Sequence, residues 1–328
     1  MYALLRGYRQ AKGIKVVAKL CSLAVPSDQE KKTRKEQGTS LNDTNLTTEI
    51  ESGTPRLRMA ASLNNKKHRE RHNRIILEGW RLITEALMAK AKPVAIFYSD
   101  SRLLDQITGF KLPKNCLAQV SKSAMEEISN TVTPPGIVGM FKRPRQGEGG
   151  TMQENSQTYP IPLTVLCDGL RDPTNVGTLV RTCAAAGCES FITSNGCADV
   201  WDPKVLRCAA GGHFHIPIYY NLDWEGIQKL VDKKRIFLAD SNIHGDGLNM
   251  PFSDYYQVDW TQGPSVLVIG AETTGLGKTV KKLAHENKGH IVHVPMVSKL
   301  DSLSAAMAGT VIIYEAYRQV ITATPAKR

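Results

Sequence analysis

From residue 163 onward the chain repeats one pattern, a short apolar run ended by turn or polar residues and then a longer stretch with helical spacing. The apolar runs fall at 163–167, 190–193, 236–239, 266–269 and 291–294, and the helical stretches at 175–186, 224–232, 280–286 and 302–320. Strands separated by helices of this length cannot be joined as hairpins; they need crossover connections. The pattern therefore predicts an α/β fold with a parallel sheet covered on both faces. In such sheets ligands sit at the carboxyl ends of the strands, so the residues that follow each apolar run are the first places to look for chemistry.

The first half is less regular. An apolar series runs through 73–91 and its later part has helical spacing; 94–98 and 136–141 read as strands, and 123–128 as a short helix. Residues 26–60 are rich in Lys, Glu, Thr, Ser and Asn with few aliphatics, a composition that cannot offset its own ordering entropy and so predicts a linker. A second gap near 145–159 carries Gly147, Gly149 and Gly150 and reads as a hinge. The expected division is a leader at 1–25, a linker at 26–60, a folded domain at 61–145, a linker at 146–160 and a second domain at 161–325.

Lys and Arg number 42 against 31 Asp and Glu, a formal net charge of +11. An excess of that size favours a polyanionic partner, either nucleic acid or an anionic membrane surface. Part of it lies at the start, where Arg6, Arg9, Lys12, Lys15 and Lys19 alternate with Leu4, Leu5, Tyr8, Ile14, Val17 and Leu20, and no acidic residue precedes Asp28. An acid-free, amphipathic basic start has the form of a mitochondrial transit peptide; the other reading is a basic arm on RNA. No apolar run is long enough to span a bilayer, so no transmembrane helix is expected. The seven cysteines include no C-x-x-C pair, which argues against a disulfide framework and against zinc; no metal is expected.

Three stretches lie where a strand gives way to a loop or helix. In the first, Cys167-Asp168-Gly169-Leu170-Arg171-Asp172-Pro173 leads to Asn175, placed here at the cap of a helix that also carries Gly177 and Arg181. Taken alone, Asn175 is an ordinary cap and Arg181 a partner for any carboxylate. In the second, Gly270-Ala271-Glu272-Thr273-Thr274-Gly275-Leu276-Gly277 follows the run 266–269. It admits close backbone approach but is not a P-loop, since Glu272 stands five before Gly277 where glycine is required. In the third, Val294-Pro295-Met296 and then Ser302-Leu303-Ser304 precede the last helix, with Asp301 or Ser302 as its expected cap. A further stretch, Asp199-Val200-Trp201-Asp202-Pro203-Lys204, with Arg207, mixes an aromatic with basic residues. It suits either phosphate and base contact or a surface turn with a half-buried Trp.

In this order and at these strand ends, the stretches resemble the motifs of the SpoU (TrmH-type) branch of the SPOUT methyltransferases, over about 163–319. Asp172-Pro173-x-Asn175-x-Gly177 with Arg181 is similar to motif one, Gly270-x-Glu272-x-x-Gly275 to motif two, and Val294-Pro295-Met296 with Ser302-Leu303 to motif three. Asp202-Pro203-Lys204 with Arg207 and Gly211 resembles the segment between motifs one and two. Residues 66–74 followed by Ile75-Ile76-Leu77-Glu78-Gly79, and later Thr131-Val132-Thr133-Pro134-Pro135-Gly136, resemble the family's RNA substrate-binding domain.

The resemblance implies a small α/β RNA substrate-binding domain followed by a knotted (trefoil) SPOUT methyltransferase domain with a parallel sheet. It implies a homodimer with the active site near the subunit interface, S-adenosylmethionine as cofactor, and transfer of a methyl to a ribose 2′-hydroxyl. The substrate it points to is large-subunit rRNA in the mitochondrial matrix, at a guanosine of the peptidyl-transferase region. Asn175, Arg181 and Glu272 would be catalytic: Arg181 on phosphate and aiding deprotonation, Asn175 orienting the ribose or Arg181, and Glu272 shaping the site and binding Arg181 or RNA. Ile269, Gly270, Glu272, Gly275, Val294, Pro295, Met296, Ser302, Leu303 and Ser304 would hold the cofactor; Lys67, Arg69, Arg71, Lys204 and Arg207 would bind RNA. The sequence departs from the family pattern at Ser304, where Asn is usual, and at Ala209, where Ser is common. A class I methyltransferase would want a Gly-x-Gly loop after its first strand, and 163–171 has a single glycine. The alternative is an rRNA-binding assembly factor of the same fold with little or no methyl transfer.

Overall fold

A computed structural model of the chain describes residues 52–149, 160–240, 250–297 and 302–324. The expected leader at 1–25 lies outside them, as do most of the 26–60 linker and residues 150–159 of the hinge. The last residues of that expected linker are folded. Helix α1 (Pro55–Ser62) begins inside it, with Thr54 accepting from the Leu57 amide and Leu57 and Ala60 fully buried. Averaging over a polar stretch hid these few apolar residues at its end.

The first folded part continues with α2 (Lys66–His72), β1 (Arg74–Glu78), α3 (Trp80–Met88), β2 (Pro93–Tyr98), β3 (Leu117–Gln119), α4 (Lys122–Ile128) and β4 (Ile137–Lys142). The strands form a four-stranded sheet in the order β1-β4-β2-β3, with β4 antiparallel to both neighbours. The apolar series at 73–91 thus divides into a strand and a helix at Gly79, whose φ of 89° is open to glycine and strained for other residues. Ile75 and Ile76 are both buried but belong to separate core clusters on opposite faces of the sheet, which is why no alternation marked β1.

The second part comprises β5 (Ile161–Asp168), α5 (Pro173–Ala186), β6 (Cys188–Ser194), α6 (Pro203–Ala209), β7 (Ile218–Leu222), α7 (Trp224–Val231), β8 (Arg235–Ala239), β9 (Phe252–Asp254), β10 (Ser265–Gly270), α8 (Lys278–Glu286), β11 (His290–His293) and α9 (Ala305–Ala323). Its seven strands are all parallel, in the order β7-β6-β5-β10-β8-β11-β9. Along β10, Val266 and Val268 join the cluster that includes α7 and α8, whereas Leu267 and Ile269 join the one that includes α5 and α9. Both faces are therefore covered, as the uninterrupted apolar runs required. Strand order reverses between β5 and β10, so the crevice for a ligand opens where motifs one and two emerge.

The two parts share one apolar cluster, in which Leu77, Leu82 and Ile83 pack with Val205, Leu206 and Ala209 of α6 and the neighbouring core. Beside it, Arg69 is 1% exposed. Its guanidinium donates to the Leu63 and Asn64 carbonyls at 2.9 and 2.8 Å and to Asp199 Oδ2 at 2.7 and 3.2 Å. The expectation that Arg69 contacts RNA is corrected by this burial: every nitrogen of its guanidinium already has a partner within the protein. Arg69→Met should destabilise the fold by about 3–5 kcal/mol, because it leaves a largely buried carboxylate unpaired; chemical denaturation checks this.

His213 is fully buried, and its Nε2 lies 2.6 Å from the Val200 carbonyl. Burial pushes its pKa down to about 4 despite that hydrogen bond. The unfolded chain binds this proton near pH 6.5, so the imidazole's contribution is complete above that pH and is lost as pH falls through about 4. A loss of about 3 kcal/mol is expected between those limits. Urea unfolding of wild type against His213→Gln should show a shallower pH dependence in the variant.

Candidate active site

The sheet delivers all three motifs to the carboxyl ends of its interior strands. Asp168 ends β5 in register with Gly270 at the end of β10. Ile269 of β10 and Val292 of β11 both pair with Ala239 of β8, so Val294 leaves the sheet on the same side as Gly270. Gly309 of α9 completes the convergence: a Cβ there would lie 2.5 Å from Ile269 Cδ1 and 2.7 Å from Leu179 Cδ2, on β10 and α5. Thr182 and Thr310 hydroxyls meet at 3.1 Å across the same helix pair.

Asp172, not Asn175, caps α5. Its Oδ1 accepts from the Thr174 amide at 2.7 Å, and Pro173 takes the first helical position, where a missing N–H is not needed. Asn175 is therefore inside the first turn, and its side chain reaches across to motif two, where Nδ2 donates to Glu272 Oε1 at 2.7 Å. Asn175 is buried while Glu272 is exposed, so the bond joins a fixed amide to a carboxylate at the surface of the crevice.

The loop carrying Glu272 is held by its own backbone. Ala271 and Gly275 exchange hydrogen bonds at 3.1 and 2.9 Å, and Gly275 has φ of 64°. A Cβ at Gly270 would stand 2.6 Å from the Gly275 carbonyl carbon. Asp168 fastens the far end: Oδ2 accepts from the Gly277 amide at 2.8 Å, and Oδ1 accepts from the Ser194 hydroxyl at 3.2 Å. The sequence offered no signal for this role beyond the position of an Asp at a strand end.

Arg181 does not join the Asn175–Glu272 pair. Six residues of α-helix turn it about 120° away from Asn175, and it is exposed with no hydrogen bond or ion pair among the described residues. The expected Glu272–Arg181 contact is replaced by Glu272–Asn175. Arg181 instead lies on the side of α5 facing α9, where its charge opposes the rise that burial, first, and Tyr317 and Cys188 impose on the Tyr314 hydroxyl pKa. Tyr314 is thus a site neighbour that motif reading missed.

In motif three, Val294 and Met296 are half-buried and Pro295 is exposed, immediately beyond β11. Leu303 is half-buried and Ser302 exposed; residues 298–301, with the candidate cap Asp301, lie outside the described residues. The cap of α9 is Ser304, whose Oγ accepts from the Met307 amide at 3.3 Å. The residue that departs from the family pattern therefore supplies an acceptor that this helix end needs.

Of the expected RNA contacts, Lys67, Arg71 and Lys204 are exposed. Arg207 is half-buried and donates from Nη1 to Glu78 Oε1 at 3.0 Å. Around α2, Arg74 pairs in register with Lys142, and Arg143 lies 5.6 Å from the Tyr220 ring centroid. Lys142 and Arg143 are thus basic groups that sequence separation had hidden. No group of three or more potential metal ligands occurs among the described residues, and none of their helices is long and apolar enough to cross a membrane.

Comparison with known proteins bears on both halves of the chain. The SpoU rRNA Methylase family model matches residues 162–314, and an MRM3-like substrate binding domain model matches 54–139. The chain is 33% identical to the mitochondrial rRNA methyltransferase 3 of Xenopus laevis, over 78% of this chain and 72% of that one. It is 29% identical to the 23S rRNA (uridine(2479)-2′-O)-methyltransferase of Streptomyces viridochromogenes, over 80% and 88%. The crystal structure of the SpoU methyltransferase AviRb from the same organism, in complex with AdoMet, superposes with a TM-score of 0.66 at 24% identity, covering 83% of this chain and 100% of that one.

Proposed function

The chain belongs to the SpoU rRNA methylase family, and from that premise we propose how its residues carry out S-adenosylmethionine-dependent 2′-O-methylation of rRNA. The observation that carries the assignment of the site is the hydrogen bond from Asn175 to Glu272, which joins motif one to motif two at the switch point of the sheet.

The residues present fit the cofactor. The close approach of Gly270 to the Gly275–Leu276 main chain folds the motif-two loop into a tight turn at the strand ends, and Ile269, Gly275, Val294, Pro295, Met296, Leu303 and Ser304 would border a cofactor held against that turn. When bound there, S-adenosylmethionine supplies an electrophilic methyl on a sulfonium centre. The chain must then orient a ribose 2′-hydroxyl and promote loss of its proton as the oxygen–carbon bond forms. Arg181, exposed and unpaired among the described residues, is suited to a phosphate flanking the target and to stabilising charge that develops on the oxygen. A guanidinium stays protonated, so Arg181 acts through its positive charge, and the proton passes to the substrate phosphate or to solvent. Asn175 holds Glu272 in place, and the Glu272 carboxylate bounds the ribose pocket.

We assign the RNA backbone to the basic surface of Lys67, Arg71 and Lys204, and the target to a guanosine in the peptidyl-transferase region of the mitochondrial large-subunit rRNA, in the matrix. The same reading includes the trefoil threading of the C-terminal segment. It also includes a homodimer, supported by α9, where Met307, Val311, Tyr314 and Ile321 place large exposed apolar groups on one face. Val311→Asp is expected to give a monomer in sedimentation equilibrium; an unchanged assembly would remove α9 from the interface. The function is tested by methyl transfer from labelled cofactor to the rRNA, with the modified nucleotide mapped. An assembly factor would bind both and transfer nothing.

A further inference from the structure

Helix α6 lies between the substrate-binding domain and the helix that carries Asn175 and Arg181, and it is fastened on both sides. On the substrate-domain side, Arg69 of α2 binds Asp199 Oδ2 at 2.7 Å and lies 3.6 Å from Asp202 Oδ2. Asp202 is the N-cap of α6, with Oδ1 accepting from the Lys204 amide at 2.9 Å. Toward the other end, Arg207 donates to Glu78 Oε1 at 3.0 Å. Glu78 also accepts from the Ser129 hydroxyl at 2.7 Å, the Asn130 amide at 3.1 Å and the Thr131 hydroxyl at 3.4 Å, and so ties the 129–131 loop to the same carboxylate.

On the catalytic side, α6 and α5 meet backbone to backbone. A Cβ at Gly177 would lie 2.5 Å from Cys208 Cβ and 2.7 Å from the Val205 carbonyl oxygen. Gly177 stands two residues after Asn175 and four before Arg181. Just past α6 the arrangement repeats. A Cβ at Gly211 would meet Glu85 Cβ of α3 at 2.6 Å, and one at Gly212 would sit 3.1 Å from the Val180 carbonyl and 3.2 Å from Arg181 Cα. Segment 199–212 thus touches the substrate domain through ion pairs and close packing, and α5 through contacts with no slack.

We propose that segment 199–212 is the element through which the substrate-binding domain sets the position of Arg181, with Arg69 and Glu78 as positioning residues acting through Asp199 and Arg207. A close-packed contact transmits a shift rather than absorbing it, so a displacement of α6 moves α5 and the guanidinium on it. The role of Arg207 is then to hold α6, not to bind a phosphate. This inference rests on the methyltransferase reading for its consequence in catalysis, though not for the coupling itself.

The test uses the full chain with Asp199→Asn, Arg207→Met and, as the conservative variant, Arg207→Lys. Asp199→Asn and Arg207→Met should each lower kcat for rRNA methylation roughly tenfold with both KM values within about twofold, the signature of a misplaced group rather than lost binding. Arg207→Lys should recover most of kcat, and the salt dependence of RNA affinity should not change in any variant. Hydrogen exchange at the amides of 176–182, measured without cofactor or RNA, should be faster in Asp199→Asn and Arg207→Met. Wild-type kcat in Arg207→Met, or weaker RNA binding with a shallower salt slope, would overturn the proposal. Should the wild type transfer no methyl, the functional reading fails by itself; unchanged exchange in α5 would then reject the coupling as well.

Discussion

Arg181→Ala is expected to lower methyl transfer by about 10²–10³-fold, the range seen when one preorganised charge-stabilising group is removed from an active site. Cofactor affinity and thermal stability should stay near wild type, because Arg181 is exposed and has no described partner whose pairing would be broken. Single-turnover transfer to rRNA, with the cofactor Kd measured alongside, separates the two effects. Arg181→Lys should recover little of the loss. Lysine keeps the charge but not the planar fork that grips a phosphate through two parallel hydrogen bonds. Full activity in Arg181→Ala would move the catalytic burden to the Asn175–Glu272 pair.

Gly270→Ala should be nearly as damaging by a different route. Its Cβ would stand 2.6 Å from the Gly275 carbonyl carbon and 2.7 Å from the Leu276 amide nitrogen, both main-chain atoms that no rotamer change can clear. The 271–275 turn must open, carrying Glu272 away from Asn175. Cofactor affinity is expected to fall by more than about tenfold, and stability by about 1–3 kcal/mol, as for other overpacked sites. Calorimetric titration with S-adenosylmethionine and thermal unfolding of the same sample read both. Unchanged affinity would mean that this turn does not border the cofactor.

The edge strands β7 and β9 are only partly buried and carry no apolar run, but the five strands between them were legible because they lie under helices on both faces and read as unbroken apolar runs. The same physics concealed β1. Ile75, Ile76 and Leu77 are consecutive and all buried, so no alternation marked a strand, and only Gly79 separates it from the helical spacing that follows. Segment 199–207 carried helix signals in Asp202 and Pro203, yet α6 is only seven residues long, too short for a periodic pattern.

At the site, residue types and order were visible, but pairings were not. Asp172 and Asn175 are both good cap residues, and Pro173 at the first helical position decides between them. That choice is what leaves Asn175 available to Glu272, 97 positions along the chain. Arg69 sits in a run of Lys, His, Arg and Glu that reads as a solvated basic helix. Its burial depends on Asp199, 130 positions away, and nothing local announces it. Ser304 looked like a weakened site residue, and its capping of α9 becomes visible only once the helix is seen to start at Ala305.

The chemical form of the product shows whether the chain methylates ribose. The chain is incubated with methyl-labelled S-adenosylmethionine and mitochondrial large-subunit rRNA, and the RNA is then hydrolysed in alkali. A methyl on the 2′-oxygen removes the internal nucleophile that alkali needs, so the label should survive in an alkali-resistant dinucleotide. Label recovered only in mononucleotides would place the methyl on a base, and no label despite tight binding of RNA and cofactor would mark a protein that binds without transferring. Either result would rule out ribose 2′-O-methylation by this chain.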